Sequence, residues 1–245
     1  MNVETVTPYD SGENKREQIA RAFDTLAHRY DRMNRLLSLG LDIGWRRRAL
    51  RLLRADPPAH ILDAATGTGD FAILAARLLP RARVTGIDLS EAMLALGRRK
   101  AAAAGLAGRV TLRAGDCLAL DFPDATFDAA TSAFGVRNFA SLAGGFRELR
   151  RVLKPGGRLV IVELSEPSVF PLRQLHRFYL RRWIPFAGRL MTGHASEYAY
   201  LPASIERVPQ GEAMLTLLRE AGFSDCRCQR YTFGICSCYT GAAPR

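Results

Sequence analysis

The sequence predicts an α/β protein: a mostly parallel sheet with helices on both faces. Three observations carry this. The run Ile61-Leu62-Asp63-Ala64-Ala65-Thr66-Gly67-Thr68-Gly69-Asp70-Phe71 reads as a buried strand, a glycine turn and a helix start. From Ala59 to Leu164, short apolar β-branched runs alternate with helical patterns, as parallel strands with crossover helices require. An acid, Asp88, closes the second apolar run about 20 residues beyond the glycines, where such folds meet a ribose.

Residues 1–14 are polar, with Pro8, Gly12 and Asn14, and are expected to be loosely attached. Ile19, Phe23, Leu26 and Ala27 then share one face of a helix. Tyr30 to Gly40 mixes aromatic, amide, acidic and cationic groups beyond what packing needs, and leads to Trp45-Arg46-Arg47-Arg48. Those arginines are read as a solvated face, with lipid headgroups as the alternative. Strands are expected at Ile61–Asp63, Val84–Ile87, Arg109–Ala114, Phe127–Ala133 and Arg158–Leu164. Ser90 is a natural N-cap for a helix over 91–104, and Gly105 stands near its end. A further helix over 141–153 stops at Lys154-Pro155-Gly156-Gly157.

The alternation breaks after Ser165. Some forty residues to Val208 interleave aromatic side chains with arginines, and Arg173, Arg177 and Arg181 share a helical face. This segment is expected to cap the open end of the sheet. A helix over 212–221 and a hairpin over 223–239 complete the chain. The expected organisation is one domain over 1–245: an N-terminal helical segment (15–55), a cofactor-binding core (59–165), a cap (166–208) and a C-terminal helix and hairpin (209–241).

Lys and Arg number 35 against 24 acids, a net charge of +11, which suits nucleic acid or an anionic membrane without choosing between them. No apolar run approaches a membrane span and the N-terminus has no secretory pattern. The five cysteines do not form a secreted disulfide framework. A cytoplasmic protein with reduced thiols is expected, with the inner face of the membrane as a peripheral docking site. Cys226, Cys228, Cys236 and Cys238 match a zinc-ligand count if all four meet, but their spacing favours packing residues, and no metal is expected.

The glycines alone do not decide the cofactor. Gly67, Gly69 and Ala72 satisfy the looser dinucleotide pattern. Asp63 before the loop and Asp70 after it favour a cationic ligand over a pyrophosphate. The Asp-x-Ala-x-Gly-Thr-Gly-Asp arrangement resembles the first motif of S-adenosylmethionine-dependent methyltransferases. On that reading Gly67, Thr68 and Gly69 approach the methionine part and Asp88 accepts the ribose hydroxyls. Asp116 accepts from the adenine amine, Cys117 flanks the ring, and Ala133 faces the sulfonium. Arg137 and Asn138, just beyond the fourth strand, suit the binding of an acceptor oxyanion. An Asn-Pro-Pro motif for exocyclic amines and a Pro-Cys pair for pyrimidine rings are both missing.

From about Ala22 to Gly241 the chain resembles the menaquinone and ubiquinone biosynthesis C-methyltransferase family. The resemblance rests on Phe23-Asp24, Tyr30-Asp31-x-x-Asn34 and Ser38-x-Gly40-x-x-x-x-Trp45-Arg46. It rests further on Phe134-Gly135-x-Arg137-Asn138, Glu163-x-Ser165-x-Pro167 and Tyr198-x-Tyr200-Leu201-x-x-Ser204-Ile205. It implies the class I methyltransferase fold, seven-stranded with the last strand antiparallel, S-adenosylmethionine as cofactor, and a prenylated quinol acceptor. Demethylmenaquinol and a methoxy-polyprenyl-benzoquinol are the family's two substrates. Tyr30, Asn34, Tyr198 and Tyr200 are then expected at the substrate, and the base is Asp70, Asp31 or His194, unranked. Thr66, Ala133 and Val208 depart from the family's usual Gly, Ser and Phe. Nucleic acid is not an expected partner; a homodimer and a quinone-synthesis assembly both stay open. An RNA methyltransferase, a silent accessory protein and, last, an NAD-dependent oxidoreductase are the alternatives weighed.

Overall fold

The computed structural model describes residues 3–9, 11–183 and 196–245, with backbone alone at 196–199. Seven strands form one sheet in the order β3-β2-β1-β4-β5-β7-β6. They are β1 (His60–Ala64), β2 (Arg83–Asp88), β3 (Val110–Ala114), β4 (Phe127–Ala133), β5 (Leu153–Leu164), β6 (Ser224–Tyr231) and β7 (Cys236–Ala242). β1 to β5 pair in parallel, and β7 runs antiparallel to both its neighbours. The expected seven-stranded sheet with its last strand antiparallel is therefore observed. Strand order reverses between β1 and β4, which opens a crevice beyond their carboxyl ends.

Successive strand residues point to opposite faces, so the sheet builds two cores. Leu62, Ala130 and Ile161 join one, against α5 (Leu142–Val152) and α8 (Glu212–Glu220). Ile61, Ala129 and Val162 join the other, against α2 (Leu41–Arg51) and α3 (Asp70–Leu78). Both faces are covered, which explains the near-continuous apolar strands. α4 (Glu91–Ala103) starts at Ser90, whose hydroxyl accepts from Met93 N at 3.1 Å. Asp24, on α1 (Lys15–Leu37), adds a second cap by accepting from Ser90 Oγ at 2.5 Å and Ala92 N at 3.3 Å. The cap segment holds α6 (Leu172–Phe178), a π turn at Tyr179–Trp183 and α7 (Ser196–Arg207).

One expectation is corrected. The N-terminus is not loose. Val3 is fully buried in one core, Glu4 accepts from Leu142 N at 2.7 Å, and the buried Lys15 ammonium donates to Val3 O at 2.7 Å. Polar composition hid this, because two valines suffice to anchor the strap. The four hairpin cysteines do not meet. Opposite Cys228 stands Tyr239 and opposite Tyr231 stands Cys236, so the two cysteine pairs face different cores. The helix stops at Val152, as Lys154-Pro155-Gly156-Gly157 requires, but the strand starts at Leu153 rather than Arg158, with a register shift against β4 and Gly156 at φ +77°.

Gly97 on α4 meets the glycine loop: a Cβ there would lie 3.0 Å from the Thr68 carbonyl and 2.5 Å from a Leu112 methyl. Alanine is the better helix former by about 1 kcal/mol, yet the loop backbone cannot retreat without disturbing the crevice. Gly97→Ala is expected to destabilise by about 1–3 kcal/mol, read as a lower melting temperature. An unchanged or raised one would contradict this packing.

Candidate active site

At the carboxyl ends of β1, β2 and β4 lies a cleft with an empty volume of about 920 Å³. Its floor is the loop Ala65–Gly69, where Gly67 and Gly69 take φ of +56° and +75°, values that L side chains resist. Asp88 accepts from Gly67 N at 2.7 Å and from Ser90 N at 3.0 Å, so the acid fixes the loop it faces. Asp63 is fully enclosed, taking hydroxyl hydrogen bonds from Thr66 at 2.6 Å and Thr131 at 2.7 Å. Burial pushes its carboxyl up to about 6, and burial likewise raises that of Asp88. The Thr66 hydroxyl, where the family usually has glycine, is thus spent on Asp63.

The remaining cleft residues fall into place around these acids. Asp116 is held by Arg16 at 2.9 Å and accepts from Leu118 N at 2.9 Å. Cys117 is buried, and burial raises its thiol far above the usual range, so it stays neutral. Ala133 lies on the wall, and α1 adds Arg16, Ile19, Phe23, Tyr30 and Asp31 as a roof. Asp70 is ion-paired with Lys100 and with Arg35 at 3.4 Å. The same Lys100 reaches Asp31 at 2.6 Å and the Thr68 hydroxyl at 2.9 Å, tying α1, α3 and α4 to the loop. Asp70 and Asp31 therefore sit on the cofactor cleft within an ion-pair cluster.

A second, larger chamber of about 1280 Å³ adjoins the first and is walled mostly by apolar side chains of α1, α2, β5 and the cap, among them Leu37, Trp45, Leu164, Leu180 and Ile205. Tyr30, Arg46 and Phe134 line both spaces and mark where they meet. Phe134 holds φ +62°, a strained value for a bulky residue, which turns its ring toward Trp45 and under Arg46. Arg137 lies on the chamber wall, only 4% exposed, with Nη1 2.8 Å from Glu163 Oε1. Asn138 accepts from the Tyr200 hydroxyl at 2.9 Å. Asn34 and Tyr30 hydrogen-bond through their side chains. The Tyr198 side chain and His194 lie outside the described residues.

The sequence reading placed Arg46 on a solvated face; the structure buries it. It is 7% exposed, ion-paired with Asp42 one turn earlier, and stacked 4.9 Å from the Phe134 ring centre. The signal was available: an acid and a base four apart, with Trp45 between them, are one partnered unit. Arg47 and Arg48 are exposed.

Glycines let the backbone around the loop pack closely, while a Cβ on Gly67 itself would meet nothing within 4 Å. A Cβ on Gly135 would stand 2.6 Å from Ala65, and one on Gly86 2.7 Å from the Thr66 hydroxyl. Buried Asp63 and half-buried Asp88, neither in an ion pair among the described residues, suit a nucleoside ligand carrying positive charge. The residues present fit S-adenosylmethionine: Asp63, Asp88, Asp116 and Cys117 all line the cleft and would hold it there.

Fold and cleft together define a class I S-adenosylmethionine-dependent methyltransferase. Solved structures share this architecture: a [4+2]-cyclase, SpnF (TM-score 0.66, 19% identity, 93% of this chain and 96% of that one), and a methyltransferase of Thermotoga maritima (0.64, 18%, 91% and 99%). At such identity they speak for the fold alone. The model of the ubiE/COQ5 methyltransferase family matches residues 11–243, and the chain belongs to that family. The demethylmenaquinone methyltransferase of Bacteroides fragilis is 45% identical over 97% of both chains. That of Thermus thermophilus is 46% identical over 91% of this chain and 100% of its own. The ubiquinone/menaquinone biosynthesis C-methyltransferase UbiE of Geobacter sulfurreducens is 44% identical over 93% and 89%.

A cationic ligand favours ionised Asp63, so below about pH 6 its binding must expel a proton. S-adenosylmethionine affinity is expected to fall roughly tenfold per pH unit from 6 to 5, measured by calorimetry, and Asp88 adds in the same direction. Asp63→Asn is expected to weaken binding about 10- to 100-fold at pH 7. A flat profile would contradict the assignment.

Proposed function

We propose that the protein methylates a ring carbon of a prenylated 1,4-quinol, most often demethylmenaquinol. Its sequence relatives named for that reaction support this, and one observation carries it: a buried guanidinium on the wall of an apolar chamber that opens onto the cofactor cleft. The chamber suits a prenylated ring, and Arg137 stands where a ring oxygen would need a charge-assisted donor. Bound S-adenosylmethionine supplies an electrophilic methyl group. The chain's own residues must make the ring carbon nucleophilic and aim it.

A quinol carbon attacks once a neighbouring hydroxyl has ionised. A phenol of pKa near 10 must come down by about three units, roughly 4 kcal/mol, to ionise readily at pH 7. Arg137, permanently charged and held by Glu163, supplies much of that from low-dielectric surroundings. Asn138, anchored by Tyr200, lines the cofactor cleft next to this wall. Asp70 and Asp31 are committed to Lys100 on the other cleft, so on this reading they hold the loop; the guanidinium lowers the hydroxyl pKa, and water at the chamber mouth takes up that proton and, after methyl transfer, the one lost from the ring carbon. Tyr30 and Phe134 line both spaces and flank the passage between them.

Turnover of reduced demethylmenaquinol with S-adenosylmethionine, followed as a gain of one methyl by mass spectrometry, tests the reading. Arg137→Met is expected to lower kcat about 10²- to 10³-fold with cofactor binding retained. A wild-type protein that binds the cofactor and methylates RNA but neither quinol overturns it.

The chamber mouth also fits an anionic bilayer surface, where such acceptors reside. Nine large apolar side chains are exposed among the described residues: Leu36, Leu39, Leu41, Val169, Phe170, Leu175, Phe178, Trp183 and Phe233. All lie on the α1–α2 turn, the cap or the hairpin turn, the segments that wall the chamber. Arg32, Arg47, Arg173 and Arg182 are exposed on the same segments, while Arg177 and Arg181 are paired with Glu166 and Glu206. No helix of the described residues is long and apolar enough to cross a membrane. Co-sedimentation with phosphatidylglycerol vesicles is expected, and Leu39→Asp with Phe233→Asp is expected to abolish it and raise KM for long-chain quinols only. Equal KM changes for short-chain quinols would contradict a lipid contact.

A further inference from the structure

Two side chains on the chamber wall share an unusual state. Arg46 and Arg137 are each more than nine-tenths buried, each gives Nη1 to a buried carboxylate, and each has an Nε–H with no hydrogen-bond partner. Native interiors seldom leave such a donor unpaired, so each marks a place where a polar atom is missing. Tyr30 lies within electrostatic reach of both guanidinium groups.

A 1,4-quinol carries two oxygens on opposite edges of its ring. The reading above uses one, the hydroxyl next to the reacting carbon, on Arg137. We propose that Arg46 Nε–H donates to the other ring oxygen, so that two guanidinium groups grip the ring at both ends and select a dihydroxy acceptor. Arg46 is built for a fixed donor. Asp42 holds one end of the guanidinium, Ser38 Oγ steadies Asp42 at 2.8 Å, and the Phe134 ring supports the flat face. It also lines both spaces, so an oxygen held there fixes the rotation of the ring about its normal and hence which carbon faces the methyl group. His176 Nδ1 is also unpartnered on this wall, but on α6 beside the exposed Leu175, at the tail end.

The inference rests on the quinol reading, and the test separates the two. Two short-chain acceptors are compared: the prenylated naphthalene-1,4-diol, and the same ring lacking the hydroxyl remote from the reacting carbon. The wild-type enzyme is expected to favour the diol about 10- to 100-fold in kcat/KM. Arg46→Met is expected to lose that preference, its kcat/KM falling about tenfold further on the diol than on the monohydroxy ring. If the substitution lowers both alike, Arg46 serves structure alone and the proposal fails while the quinol reading stands. If the wild-type enzyme methylates neither, the quinol reading fails and this one with it. Should Arg46→Met not stay folded, Arg46→Lys keeps a cation on Asp42 but removes the Nε donor. It is expected to lose the same discrimination, and a retained preference for the diol would overturn the assignment.

Discussion

The ion pair between Arg137 and Glu163 is the constraint around which the reaction end of the molecule is arranged. Glu163 stands near the end of β5 and Arg137 just beyond β4, and the parallel pairing of those strands, Ala133 against Val162, sets them 2.8 Å apart. An unpaired charge at such depth costs several kcal/mol, and even a matched pair adds little net stability. Removing one partner leaves the other charge buried and uncompensated, at a cost of about 3–5 kcal/mol. The surroundings conform to the pair. Glu163 also accepts from Arg137 N at 3.2 Å, and the Arg137 carbonyl accepts from the Lys15 ammonium at 3.2 Å. Burial pushes that ammonium down to about 8. The N-terminal strap is thereby joined to the site.

Charge divides the two spaces. Asp63, Asp88 and Asp116 weight the cofactor cleft toward acid, with Arg16 set on Asp116, while the chamber holds Arg137 and, at the border it shares with the cleft, Arg46 beside Asp42. A donor carrying positive charge and an acceptor gaining negative charge are each matched on their own side. Among the described residues only Tyr30, Arg46 and Phe134 line both sides, and the strained Phe134 backbone shapes that boundary. The proposed chemistry needs this separation, since mixing the charges in one wet cleft would screen both.

Much of this was legible in the sequence. The glycine loop, Asp63 and Asp88 announced themselves because a strand, a turn and a helix start have distinct local chemistry. Arg137 was legible as polar residues directly after an apolar strand. Arg46 was not, because three consecutive arginines look alike until the helix phase shows which one turns inward. The strap at Val3 was hidden by its polar neighbours, and the role of Lys100 depends on contacts between three helices distant in sequence. The hairpin cysteines depended on register: one residue of shift exchanges the faces.

The central physical claim is that the chamber lowers the pKa of a bound quinol. It can be read directly by titrating the phenolate absorbance of a reduced, short-chain demethylmenaquinol bound under anaerobic conditions with S-adenosylhomocysteine. The account predicts ionisation about three units below that of the free phenol, near pH 7, with most of the shift gone in Arg137→Met. A bound quinol that ionises where the free one does, on a protein that still binds it, would contradict the account.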